Sequence, residues 1–400
     1  LKENVVSIAG FVLDHREERM KKLVMFAFGF FLLFRMAAAI PAFARKYNYS
    51  CEVCHAPFPH LKPFGEEFMN NGYRIPDKEP PRATIDTGDP LLLLQRELPL
   101  AFRFDGWLAF EPNSDRQSDV RAPFAMKILS GGNISDKISY YTYFLLTEEG
   151  KIAGLEDTYL YFHDIFGLPL GIVFGQYRVS DPIKPSELRL TFEEYRIYKF
   201  SVGQSKIALS YDRGIVGSFS TKFGTDFVLE VVNGNGIDTP DIFDQDKYKS
   251  FIGRVAQSFW NGRIRVGLLG YAGKEAGEAG GTNRVTYVGP DLRVQVPHVE
   301  LMLEYVRRTD SNPLFLAEAE GHDTDAYLAE AIISPGEDKG RTFVTFAFNR
   351  VKSCFEETDA KTLTASVTYL LRRNLKWIAE YTHDLKGKDH HWLTGFITAF

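Results

Sequence analysis

Cys51 and Cys54 stand three apart, and His55 follows the second cysteine directly. Two thiols at that spacing beside an imidazole fit the covalent attachment of a c-type haem, in which both sulfurs bond to the porphyrin and the histidine ligates the iron. The chemistry implied is electron transfer. The same residues would also serve as a zinc clamp, a redox dithiol or a simple disulfide. Zinc wants a second Cys or His pair at ligand spacing. The chain has 3 cysteines, and the last, Cys354, has no Cys or His beside it in the sequence. A thioredoxin-like dithiol wants a βαβ setting, and none surrounds the motif.

The elements around the motif must bring it to a place where haem can be attached. Residues 1–19, with Asp14, Arg16, Glu17, Glu18 and Arg19, read as an extension upstream of the true start at Met20. From there Lys21 and Lys22 form a basic region, Leu23 to Phe34 an apolar one, and Ala42-Phe43-Ala44 a small-residue cleavage site. That pattern predicts an export signal over 20–44 and a mature chain from Arg45. The rival reading, an inner-membrane anchor, falls short of the roughly 20 apolar residues that a spanning helix needs. Residues 45–80 are then the haem segment. Its length is below the roughly 40 residues at which a chain usually folds unaided, so other walls must enclose the cofactor.

The run Phe43-Ala44-Arg45, then Cys51, Cys54, His55, Pro59, Leu61, Gly65, Phe68, Gly72 and Tyr73, resembles the N-terminal signature of the fused monohaem cytochrome–porin family of outer-membrane iron oxidases. The resemblance implies that Cys51 and Cys54 bind one covalent haem c and that His55 is its proximal iron ligand. Met69 or His60 is the candidate distal ligand. Met69 reads equally well as a packing residue of a short helix over 61–70, and His60 as an exposed turn residue. The resemblance further implies extracellular Fe(II) as the electron donor and a periplasmic carrier, such as a soluble cytochrome, as the acceptor.

Beyond a Pro-rich linker over 81–99 the chain changes character. Aromatic residues are abundant, with 33 Phe and 19 Tyr, alongside 33 Gly and a charged fraction of 25%. Segments of alternating apolar and polar residues, punctuated by turn clusters such as Ser130-Gly131-Gly132-Asn133 and Asn261-Gly262, predict antiparallel strands. About sixteen are expected over 100–400, a number within the range of outer-membrane barrels. Their predicted starts are Leu100, Arg121, Lys137, Leu155, Pro169, Lys206, Thr225, Phe251, Arg263, Arg284, His298, Thr324, Arg341, Thr362, Asn374 and His391. Connections at one end, such as 178–205, 233–249, 272–283, 308–323 and 351–361, are long. Those at the other end are mostly short, with 212–223 as the exception. Outer-membrane barrels have this asymmetry, with short turns facing the periplasm. The last strand carries aromatics on one face and ends in Phe400, which resembles the C-terminal insertion signal of such barrels.

The expected architecture is therefore all-β: an antiparallel outer-membrane barrel of about 16 strands with a small, mostly helical haem segment plugging the lumen. A net charge of −5 without a basic stripe excludes a nucleic-acid partner. Acidic residues of two outer connections, Asp238, Asp241, Asp244 and Asp246, and Asp310, Glu318, Glu320 and Asp323 with His322, could attract Fe(II) or simply be solvated. Other readings of the chain are a porin with a structural haem segment, and a haem conduit for another donor or acceptor. Gly234 and Gly236 form a loop tip rather than a phosphate loop. Cys354, His390 and His391 read as exposed residues without a role, and His163 and His298 as strand-end residues able to approach the haem.

Overall fold

The structure is a computed structural model. It describes residues 42–400 apart from 58, 76–83, 86, 90, 93, 97, 114–116, 238–242, 245 and 278–279. The extension over 1–19, the export signal up to residue 41 and much of the linker lie outside the described residues.

Sixteen antiparallel strands of eight or more residues close into one barrel. They are β1 (Leu100–Phe110), β2 (Ser118–Ser135), β3 (Ile138–Glu148), β4 (Leu155–Phe162), β5 (Leu170–Arg178), β6 (Tyr211–Ser220), β7 (Thr225–Val232) and β8 (Ser250–Phe259). The second half comprises β9 (Ile264–Ala276), β10 (Thr282–Val296), β11 (Val299–Asp310), β12 (His322–Ile333), β13 (Thr342–Lys352), β14 (Ala360–Arg372), β15 (Leu375–Asp384) and β16 (Asp389–Ala399). Each strand pairs with its sequence neighbours, and β16 returns to β1 with Trp392 opposite Phe110 and Ala399 opposite Arg103. Closure leaves the barrel without a free edge.

Side-chain alternation shows which solvent each face meets. Along β14 the buried, lumen-facing residues are Thr362, Thr364, Ser366, Thr368 and Leu370, while Leu363, Val367, Tyr369 and Leu371 point outward. Phe227 and Leu229, Val266 and Leu268, Trp392 and Phe396 continue the exposed apolar face on other strands. A soluble sheet would place the threonines outside. An apolar exterior around a polar lumen, with every strand edge paired, is the arrangement that lipid imposes on an outer-membrane barrel. No helix among the described residues is long and apolar enough to cross a membrane.

The connections keep the expected asymmetry. At the end where β1 begins they are short, none longer than 334–341. At the other end run 179–210, 233–249 and 311–321. Four expectations need correction. Ser130 to Asn133 do not turn but continue β2 to Ser135, where Gly131 lets Phe43 approach the strand and Gly132 lets Gln95 approach it. The strand expected from Lys206 begins at Tyr211, since 179–210 is a structured connection of its own. Residues 212–220 belong to β6, so the exceptional connection shrinks to 221–224. Finally, 179–210 is not a solvated outer loop. It folds into the lumen and buries Tyr195, Ile197, Tyr198, Phe200, Val202, Ile207 and Leu209 against Tyr271, Tyr287, Val306, Leu328 and other residues of the wall. Its apolar content is too high for water, and the barrel interior is the nearest place to bury it.

Candidate functional site: the lumen cavity beside the cysteine pair

The segment 42–75 occupies the lumen at the short-connection end. Two helices frame it, α1 (Ala42–Tyr47) and α2 (Pro63–Asn70), with a single 3-10 turn over Cys51–Val53 between them. Pro63 starts α2, where its missing N–H costs nothing. The motif is knit by backbone bonds: His55 N–H donates to Cys51 O at 2.9 Å and Lys62 N–H to Cys54 O at 2.8 Å. Gly65 of α2 rests on the Cys54 carbonyl so closely that a Cβ there would collide with backbone. Gly72, at φ 66°, passes His163 and Ser139 with no room for a side chain. Phe43, Phe68 and Tyr73 pack together, with Phe43 stacked on Tyr73 at 5.0 Å and Tyr73 on Tyr141 of β3 at 4.8 Å.

Polar contacts fasten this segment to the barrel. His60 Nε2 lies 2.8 Å from Glu300 Oε2 of β11, and Arg293 of β10 joins Glu300 to Glu66 of α2. Arg373 pairs with Glu52 at 2.9 Å. Arg74 donates to Asp164 at 3.1 Å, and Arg45 donates to the Leu100 carbonyl. A charged, hydrogen-bonded pair between chain segments is costly to break from one side only.

Cys51, Cys54 and His55 line a cavity of about 220 Å³ together with Tyr47, Phe64, Phe68 and Met69 of the same segment. The barrel contributes Arg103, Lys127 and Tyr143, and the inward connection contributes Glu187 and Leu188. Both cysteines are free thiols, and burial raises their pKa values. The His55 Nδ1–H donates to the Pro59 carbonyl, 2.8 Å away, which fixes the tautomer carrying its lone pair on Nε2. Burial pushes the His55 pKa down to about 4, so the ring is neutral near pH 7. Neutral imidazole is the form that ligates a metal. Two thiols, a neutral imidazole and an apolar aromatic wall could hold a flat, apolar, iron-bearing ring.

The remaining candidates, Met69 apart, fall elsewhere. Met69 reaches the cavity of the cysteines and also a second one, of about 400 Å³. His60 and His163 line only that second cavity; His60 is engaged by Glu300, and His163 bonds Ser139 at 2.7 Å. His298 is exposed at a turn. Cys354 Sγ lies 3.3 Å from His322 Nδ1 on the long-connection side. His390 stacks on His383 at 4.4 Å. Asp310 is buried against Arg308, Asp323 pairs with Arg307 and Asp244 with Lys249, while Asp238 and Asp241 lie outside the described residues. No group of three or more His, Cys, Asp or Glu positioned for a metal ion occurs among the described residues.

Sequence reasoning missed the inward connection and the wall carboxylates that clamp it. Glu380 accepts from the N–H groups of Phe192 and Glu193 at 2.6 and 2.8 Å. Glu330 takes Tyr195 at 2.7 Å and pairs with Lys184, and Glu304 takes Tyr198 at 2.5 Å. The available signal was their position: each sits in a strand on the lumen-facing register.

No protein-family model and no curated protein matches the chain. Solved structures similar to it include the anion-selective porin from Comamonas acidovorans, at TM-score 0.57 and 12% identity over 76% of this chain and 99% of that one. OmpF of Salmonella typhi in complex with daunomycin is similar at TM-score 0.56 and 12% identity, covering 76% and 97%. OmpT of Vibrio cholerae, in its trimer form, follows at TM-score 0.54 and 12% identity, covering 76% and 99%. At these identities the likeness concerns the fold.

Proposed function

We propose that the chain is a haem-bearing outer-membrane barrel that passes electrons from a donor on the long-connection side, Fe(II), to a soluble carrier on the short-connection side. One observation carries the reading: both thiols and the imidazole of the motif line a single, mostly apolar lumen cavity. That donor set fits a covalently attached haem c, held by Cys51 and Cys54 and ligated by His55. When bound, the haem supplies a one-electron couple at its iron.

The chain's own residues do the rest. Pro59 orients the imidazole of His55. Gly65 lets α2 close over the motif. Phe68, Phe64 and Tyr47 give the cavity an apolar wall, and apolar surroundings favour the less charged state of a bound iron centre. Met69, which lines the cavity as His60 does not, would be the residue to supply a second iron ligand, so Met69→Ala should alter the reduced visible spectrum and His60→Ala should not. Short connections face the periplasm in outer-membrane barrels, so the segment meets the carrier there.

The test is a vesicle enclosing a soluble cytochrome, with the protein inserted in its membrane and Fe(II) added outside. Reduction of the enclosed cytochrome that depends on Cys51 and Cys54 supports the proposal. Reduction that persists without Cys51 and Cys54 while small solutes pass freely would instead favour a porin with a structural haem segment. The second cavity, bordered by charged residues such as Arg178, Asp181, Arg254 and Asp291, is the observation behind that alternative.

A further inference from the structure

The cavity of the cysteines is apolar except at one corner, and there charged groups from three parts of the molecule converge. Lys127 of β2 donates to Glu187 Oε2 at 2.7 Å, and the Tyr143 hydroxyl of β3 donates to the same oxygen at 3.0 Å. A guanidinium nitrogen of Arg103 of β1 lies 3.7 Å from that oxygen. Arg103 is itself held in place by a bidentate pair with Asp105, at 2.7 and 2.8 Å.

Arg103 and Lys127 both lie against the Glu187 carboxylate, in a lumen where charge is poorly solvated and a buried cation needs an anionic partner. Glu187 already shows what kind of anion the corner accepts: a carboxylate, through two direct hydrogen bonds to one oxygen. A c-type haem presents this chemistry, since its porphyrin carries two carboxylate side arms on one edge and its thioether links elsewhere on the ring. The thiols, Arg103 and Lys127 line the same cavity.

We propose that Lys127, Arg103 and Tyr143 form a carboxylate cradle that holds the acidic edge of the haem, at the corner where Glu187 now sits. The inference rests on the haem reading given above. It assigns to three barrel residues a positioning role that the cysteine motif does not reveal. It also ties the inward connection, through Glu187, to the cofactor's edge.

The experiment compares the parent chain with Lys127→Gln, Lys127→Arg and Tyr143→Phe, each purified from outer membranes. Three readouts are taken: covalent haem on a denaturing gel, the resonance Raman bending band of the haem carboxylates, and the midpoint potential as a function of pH. Lys127→Gln is expected to keep its covalent haem, shift the carboxylate band, lower the potential and make it depend on pH in the weakly acidic range. Removing a nearby cation both disfavours the electron-rich iron and lets the carboxylate take up a proton. Lys127→Arg restores both properties, and Tyr143→Phe shifts the band by less. Should Lys127→Gln give no folded barrel, Tyr143→Phe and Lys127→Arg carry the same comparison. A haem that stays attached while band, potential and pH dependence all match the parent overturns the cradle. A parent chain without covalent haem overturns the reading beneath it, and the two failures are told apart by the gel.

Discussion

Two segments fill the lumen of this barrel, and they do so in opposite ways. The connection 179–210 packs its own side chains into a closed apolar core, with Ile197, Tyr198 and Val202 fully buried against Tyr271, Val285 and Met302. Its polar ends are taken up by wall carboxylates. The segment 42–75 is instead held at its rim, by Glu52, His60, Glu66 and Arg74, and borders a cavity at its centre. A segment packed into a shared core with the wall reads as structural filler, and one whose reactive side chains converge on a cavity is where the proposed cofactor would sit.

The largest way to break this contrast is to remove the thiols. On the proposed haem reading, a protein with Cys51→Ser and Cys54→Ser should carry no covalent haem while the barrel still folds, since neither cysteine contributes to the apolar core around Ile197. A haem-stained gel and the heat-modifiable mobility of the barrel check the two halves of that statement. Ile197→Ala should do the reverse, costing about 2–5 kcal/mol of stability through the cavity it opens, with haem attachment retained. Urea unfolding in detergent measures it.

Smaller changes sharpen the contrast. His60→Ala leaves the buried Glu300 with Arg293 as its remaining partner. We expect a loss of about 1–3 kcal/mol in the docking of 42–75, read as faster proteolysis of that segment in the intact barrel. Least of all, Asp244→Asn and Asp323→Asn on the long connections should change the rate of reduction by Fe(II) less than about twofold. Both carboxylates are already paired with neighbouring cations, and exposed pairs of this kind are worth about 0–1 kcal/mol.

The barrel was legible in the sequence because its signal is repeated. Alternation along Ala326, Leu328, Glu330 and Ile332, or along Thr362 to Leu370, recurs strand after strand, and fifteen of the predicted starts fall within three residues of the observed ones. The failures share a cause. Gly131 and Gly132 look like a turn locally, and only Phe43, some ninety residues away, shows what the strand makes room for there. The connection 179–210 looks like a loop because its burial depends on walls distant in sequence, including Tyr271, Val306 and Leu328. For the site, Cys51, Cys54 and His55 stood out by spacing alone, whereas Lys127, Arg103 and Tyr143 had no local pattern to mark them. Their convergence is a product of register between β1, β2 and β3, which sets Arg103 opposite Lys127 and Tyr143 opposite Leu129.

The central claim is a covalent haem inside the lumen with a potential suited to the donor. It is tested most directly by the visible spectrum of the protein purified from outer membranes, oxidised in air and then mixed with Fe(II) without oxygen. The account predicts the sharp bands of a reduced c-type cytochrome on mixing, absent from the double serine variant. A spectrum with no haem band before or after mixing would contradict it.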